Sequence, residues 1–115
     1  MTLLFLGLSE RNCWVSAARL FSDLHEAGYN HGDAKLTNIL YSEQQLYFVD
    51  LDGVKKQGFI NRPERDIARF LVGLSELQSG DTTERLHFFE SYCEFSGTEA
   101  FNFRGVVLEL TKNCL

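Results

Sequence analysis

The segment from His31 to Gly53, HGDAKLTNILYSEQQLYFVDLDG, gathers Asp33, Asn38, Asp50 and Asp52. Carboxylate and carboxamide oxygens are hard donors, the type that holds Mg²⁺ while the ion keeps waters and phosphate oxygens among its remaining ligands. A carboxylate left over beside such a site has a second use, accepting a proton. Cation binding next to a general base is therefore the chemistry open to these side chains, provided the elements between them bring them together.

The intervening sequence does so. Two β-type runs, Ile39-Leu40-Tyr41 and Leu46-Tyr47-Phe48-Val49, flank the polar Ser42-Glu43-Gln44-Gln45, which reads as a hairpin. Asp33 and Asn38 precede its first strand, while Asp50 and Asp52 leave its second, so the 17 residues separating Asp33 from Asp50 collapse into one cleft. Alternate positions on a strand exit point the same way, which lets Asp52 join Asp50 or face solvent. Asp52-Gly53 also reads as a plain turn pair.

The rest of the chain reads as helix. From Asn12 to about Ala27, the residues Trp14, Val15, Ala18, Phe21, Leu24 and Ala27 recur at three- and four-residue steps, with Asn12 as cap and Gly28 as stop. Gly53 to Arg62 looks like a loop. Asn61 and Pro63 open a second helix to about Leu77, striped by Ile67, Phe70, Leu71 and Leu74. A third is expected from Thr83 to about Phe95, with Leu86, Phe88, Phe89, Tyr92 and Cys93 inward, ending at Ser96-Gly97. A last helix is expected from Glu99 to Lys112, interrupted by Gly105. The pattern predicts one α+β domain over residues 1–115, mainly helical, with one small β-hairpin carrying the loops that matter.

Composition narrows the partners. A chain of 115 residues that is 44% hydrophobic supplies one core. A net charge of −5 and a pI near 5.1 argue against a broad electrostatic grip on nucleic acid or an acidic membrane. Cys13, Cys93 and Cys114 have no metal-ligand spacing, and their odd number fits reduced thiols better than a disulfide framework. The apolar start MTLLFLGL has no basic flank and stops at Ser9-Glu10-Arg11, so neither a signal peptide nor a membrane span is expected. His25 and His87 have no chelating neighbours in sequence and read as ordinary. Lys55 and Lys56 either meet an anionic substrate or sit in a solvated loop.

HGDAKLTNIL followed by YFVDLDG resembles the catalytic and metal-binding loops of the protein-kinase-like superfamily, whose pattern is His-x-Asp-x-Lys-x-x-Asn and then a hairpin ending in a metal-binding Asp. Gly32 and the Asp-Leu-Asp ending are more similar to the lipopolysaccharide core (Kdo and heptose) kinases and the aminoglycoside phosphotransferases. The resemblance spans roughly Ser9 to Tyr92. It implies a protein-kinase-like C-terminal lobe in which Asp33 accepts the proton of the attacking hydroxyl and Lys35 neutralises the transferred phosphoryl. Asn38 and Asp50 would be ligands of Mg²⁺, with Asp52, which replaces a glycine of the protein-kinase motif, as a further candidate. His31 would orient the loop, and Asp66 would hold it by accepting backbone N–H groups.

The implied function is Mg²⁺-dependent phosphoryl transfer from ATP to a hydroxyl of a sugar or glycolipid such as lipopolysaccharide core. GVKKQGFINR contains no Ser, Thr or Tyr and no Ala-Pro-Glu follows it, so a phosphorylation-switched protein kinase is disfavoured. No glycine-rich loop, strand lysine or partner-helix glutamate precedes the motif, so the N-terminal lobe is expected to be absent from this chain. The alternative expectation is a non-catalytic remnant acting as a binding or scaffold module. Further expectations are a cytoplasmic location, at the inner face of the membrane where a lipid-linked substrate is offered, and self-association through the face left by the missing lobe.

Overall fold

The computed structural model describes residues 11–35, 38–42, 45–56, 63–77 and 83–97, together with 105, 107, 108 and 111. Helix α1 is Arg11–Glu26, β1 is Tyr29–Asn30, β2 is Ile39–Ser42 and β3 is Gln45–Phe48. A 3₁₀ turn at Leu51–Gly53 leads to β4, Lys55–Lys56, and then come α2, Pro63–Leu77, and α3, Thr83–Ser96. Residues 105, 107, 108 and 111 are helical, where the last helix was expected. Glu43, Gln44, Asn61 and Cys114, on which the expected turn, cap and third thiol fall, lie outside the described residues. The Cys13 side chain does as well.

The architecture is mainly helical with two small antiparallel ladders. β2 pairs with β3 in the register Ile39↔Phe48, Leu40↔Tyr47, Tyr41↔Leu46, as the hairpin pattern predicts. The second ladder, Tyr29↔Lys56 and Asn30↔Lys55, falls partly in what reads as loop. Two residues per strand are too few to carry an alternation for a period-two reading to detect.

The core forms where the helical stripes converge. Trp14, Ala17, Ala18 and Phe21 of α1 are buried against Phe70, Leu71 and Leu74 of α2 and Phe88, Phe89 and Tyr92 of α3. Phe21 is the hub, with ring centroids 5.0 Å from Phe48, 5.2 Å from Phe70 and 5.9 Å from Phe88, all edge-on. Such edge-to-face pairs contribute about 0.5–1.5 kcal/mol each beyond the area they bury. Phe48 belongs to β3, so this cluster fastens the hairpin to the helices. The inward stripe of α1 is narrower than expected: Val15 and Leu24 are half-buried and Ala27 is exposed. Cys93 is buried and free, and burial raises its thiol pKa to about 11. Among the described residues no helix is long and apolar enough to cross a membrane.

Candidate active site

The loop between β1 and β2 is built on His31, whose ring is fully buried. Asp33 N–H donates to His31 Nδ1 at 3.2 Å, and the opposite ring nitrogen, Nε2, lies 3.1 Å from the Val49 carbonyl. An acceptor role for Nδ1 places the ring proton on Nε2, which donates to Val49. The imidazole thus ties the backbone of Asp33 to the residue just before Asp50. Val49 is held a second time, because its N–H donates to the Asn38 carbonyl at 2.9 Å. Both backbone polar groups of Val49 are therefore taken by the loop that carries Asp33 and Asn38.

Asn38, itself buried, faces Asp33 directly. Its Nδ2 donates to the Asp33 carbonyl at 2.7 Å and lies 3.4 Å from Asp33 Oδ2. Those bonds engage the amide nitrogen and leave Oδ1, the atom a cation would use. Lys35 Nζ is 3.8 Å from Asp33 Oδ2, with both side chains half-exposed. Asp50 is exposed and adopts φ 56°, ψ 68°, in the left-handed region. Among the described residues it alone has a positive φ without being glycine. Asp tolerates this region better than most residues, and strained backbone of this kind collects at functional sites. Leu51 to Gly53 is a 3₁₀ turn and not a strand, so the period-two argument does not govern Asp52, which is exposed.

Two glycines set how closely the loops approach. Gly32 has φ +89°, and a Cβ built there would collide with the Gly53 carbonyl oxygen. A Cβ on Gly53 would in turn lie 3.1 Å from the His31 carbonyl oxygen. Gly32 and Gly53 thus let the Asp33 loop and the Asp50 loop touch backbone to backbone.

Asp66, in the first turn of α2, anchors the loop from below. Its Oδ2 accepts from His31 N–H at 2.7 Å and its Oδ1 from Gly32 N–H at 3.0 Å. Contacts of this kind are what the family resemblance implies for it. What the pattern missed is His25, whose Nε2 lies 2.8 Å from the same Oδ2 and whose Nδ1 lies 2.7 Å from the Tyr92 hydroxyl. Burial works to raise the Asp66 pKa, but the hydrogen bonds from His25, His31 and Gly32 outweigh it and hold the carboxyl below its ordinary range. An ionised carboxylate only accepts, so His25 Nε2 donates to it. In the neutral ring Nδ1 then accepts from Tyr92. The phenol suits that donor role, since burial, assisted by Cys93, Glu64 and other acidic neighbours, pushes its pKa up. A signal for His25 was present: it follows Phe21 by one helical turn and so continues the buried stripe.

The family model described as lipopolysaccharide kinase (Kdo/WaaP) family matches residues 7–92. The chain belongs to this family. The match encloses the whole loop, the hairpin, Asp66 and, as its last residue, Tyr92. No curated protein and no solved structure matches the chain. Family membership makes phosphotransfer to a sugar of the lipopolysaccharide core the associated chemistry, and a kinase family implies ATP use. The helical α+β architecture agrees with that membership, and a kinase-like fold is what the family implies.

The donor set fits a magnesium ion carried by phosphates. Among the described residues no group of three or more His, Cys, Asp or Glu side chains converges on one point. Mg²⁺ at phosphate sites usually takes one or two carboxylates and leaves its other positions to water and phosphate oxygens. Asn38 Oδ1 and the Asp50 carboxylate, on loops bonded to each other through Val49, meet that requirement.

Proposed function

We propose that this protein provides the C-terminal lobe of an Mg²⁺- and ATP-dependent phosphotransferase acting on a hydroxyl of a sugar or glycolipid such as the lipopolysaccharide core, with a second lobe completing the nucleotide site. The observation that supports the reading is the double clasp on Val49, from His31 Nε2 and to the Asn38 carbonyl, which bonds the backbone beside Asp50 to the loop that carries Asp33 and Asn38. Asp33 receives the proton of the attacking hydroxyl as its oxygen bonds to phosphorus and the bond to the nucleotide's leaving oxygen breaks. Lys35, beside Asp33, neutralises charge on the group in transfer. Asn38 and Asp50 hold Mg²⁺, with Asp52 available from the adjoining turn. Bound there, the ion supplies positive charge to the phosphate oxygens. His31 and Asp66 position the loop. A lipid-linked acceptor would bring the protein to the cytoplasmic face of a membrane by peripheral contact.

The test uses Mn²⁺ as a paramagnetic stand-in for Mg²⁺ and reads the amide resonances of the full chain in the presence of ATP. Asp50→Gly is the informative variant, because glycine accepts φ 56° without strain and removes the carboxylate. Selective broadening at Asn38 and Asp50 in the parent, abolished in a folded Asp50→Gly, is expected. Equal broadening in both would defeat the assignment and favour a non-catalytic binding module.

A further inference from the structure

Behind the loop, between the β1/β4 ladder and the first turns of α2, lies a cleft of about 220 Å³ lined by Asn30, Gly32, Gly53, Lys55, Arg65 and Asp66. Its floor is the glycine pair that lets the two loops touch, so no side chain fills it from below. Its walls hold two cations. Lys55 is fixed opposite Asn30 by the ladder register, and Arg65 immediately precedes Asp66 on α2. Both are exposed, and among the described residues neither has an ion-pair partner. Unpaired basic residues facing one hollow are unusual in a chain of net charge −5. The one acid in the wall does not neutralise them by contact, because both Asp66 oxygens are engaged by His25, His31 and Gly32.

Size restricts the occupant. The cleft is several times the ~30 Å³ a water occupies in the liquid. It is smaller than the roughly 300–1,000 Å³ of pockets that enclose a whole ligand. It suits one charged substituent and not a complete glycolipid. A guanidinium fork beside an ammonium is the pairing that grips phosphate or carboxylate oxygens by charge-assisted hydrogen bonds.

We propose that this cleft binds an anionic substituent, phosphate or carboxylate, on the acceptor sugar. The inference rests on the phosphotransferase reading and deepens it. Gly32, in the cleft floor, is the chain neighbour of Asp33, so the cleft borders the loop that carries the group assigned to take the acceptor's proton. Acceptor choice then depends on negative charge near the reacting hydroxyl, with Lys55 and Arg65 as the residues that read it.

The experiment titrates inorganic phosphate, acetate and neutral glucose into the full chain and follows the amides of Gly32, Gly53 and Lys55. Saturable shifts with phosphate or acetate are expected and none with glucose; the tighter anion identifies the substituent. Lys55→Gln and Arg65→Gln should each weaken binding about tenfold, the scale of one charge-assisted contact. Arg69→Gln, an exposed α2 arginine outside this cleft, should leave it within about twofold, since rim charges that touch nothing contribute little. Absence of saturation, equal weakening by Arg69→Gln, or displacement of the anion by ATP would each overturn the proposal. Neither Lys55 nor Arg65 takes part in the Mn²⁺ response at Asn38 and Asp50, so failure here and failure of the phosphotransferase reading are separately visible.

Discussion

Replacing Asp66 by Asn tests whether the loop is held in place by one carboxylate. The two side chains have nearly the same shape, so the change isolates bonding. Asp66 Oδ2 accepts two donors, His25 Nε2 and His31 N–H, and Oδ1 accepts one, Gly32 N–H. Asparagine has one acceptor oxygen, and its better orientation keeps that oxygen on the doubly bonded side. The amide NH₂ then faces Gly32 N–H, donor against donor. An unsatisfied buried donor costs about 1–3 kcal/mol, and reducing two charge-assisted bonds to neutral ones costs about 1 kcal/mol more for each. The expected loss is about 3–5 kcal/mol, a large share of the ~5–15 kcal/mol by which domains are stable.

Urea unfolding at pH 7 would read this loss as a midpoint lower by roughly 2–3 M at a slope of about 1.5 kcal/mol/M. A second arm follows pH. A carboxyl whose folded pKa lies below its unfolded value contributes stability that is complete above the ordinary value of 3.8 and fades as pH falls through the folded pKa. The gap between parent and Asp66→Asn should therefore be widest near neutrality and narrow below about pH 4. A loss under about 1 kcal/mol at pH 7, or a gap that widens in acid, would refute the assignment of Asp66 as the anchor.

Two more substitutions probe the supports of the same loop. Gly32→Ala should destabilise by about 2–4 kcal/mol, combining an unfavourable φ with collision against Gly53. Gly28→Ala, at nearly the same φ of +92° but with nothing within 4 Å, should lose only about 1 kcal/mol, and equal losses in urea melts would show that the loop contact carries no weight. Tyr92→Phe removes the hydroxyl that lies 2.7 Å from His25 Nδ1 inside the core, for an expected 1–2 kcal/mol or so; a loss below about 0.5 kcal/mol in the same assay would remove Tyr92 from the network.

What the sequence discloses follows how locally each feature is encoded. The hairpin and α2, with their alternation, proline and apolar stripe, are written in contiguous residues, and the structure returns them almost residue for residue. Asp33, Asn38 and Asp50 stand out by type and are brought near one another by the hairpin. His25 was passed over because its partners lie 41 and 67 residues away, and a histidine on a helix looks the same whether its ring meets water or a buried carboxylate. Nothing local announces the β1/β4 ladder or the Gly32 contact with Gly53, because each is decided by a second segment meeting the first. Asp50's left-handed backbone, beside the clasped Val49, likewise has no local signal.

Apart from Asn38, which is buried and bonded to both Asp33 and Val49, the groups assigned to the reaction are separate from the groups that hold the fold. Asp33 and Lys35 are half-exposed, and Asp50 is exposed and strained, so none of them contributes much to stability. His31, Asp66, His25 and Tyr92 are buried and touch one another through directional bonds. His25 bridges Tyr92 and Asp66, and Asp66 in turn fixes the backbone at His31 and Gly32. Because Tyr92 belongs to α3, His25 to α1 and Asp66 to α2, the loop keeps its shape only when all three helices are packed. A positive φ at Asp50 can persist because the Val49 clasp beside it is rooted in that packing. Asp33, Lys35 and Asp50 can therefore be altered with little cost to folding, whereas the silent network beneath them cannot.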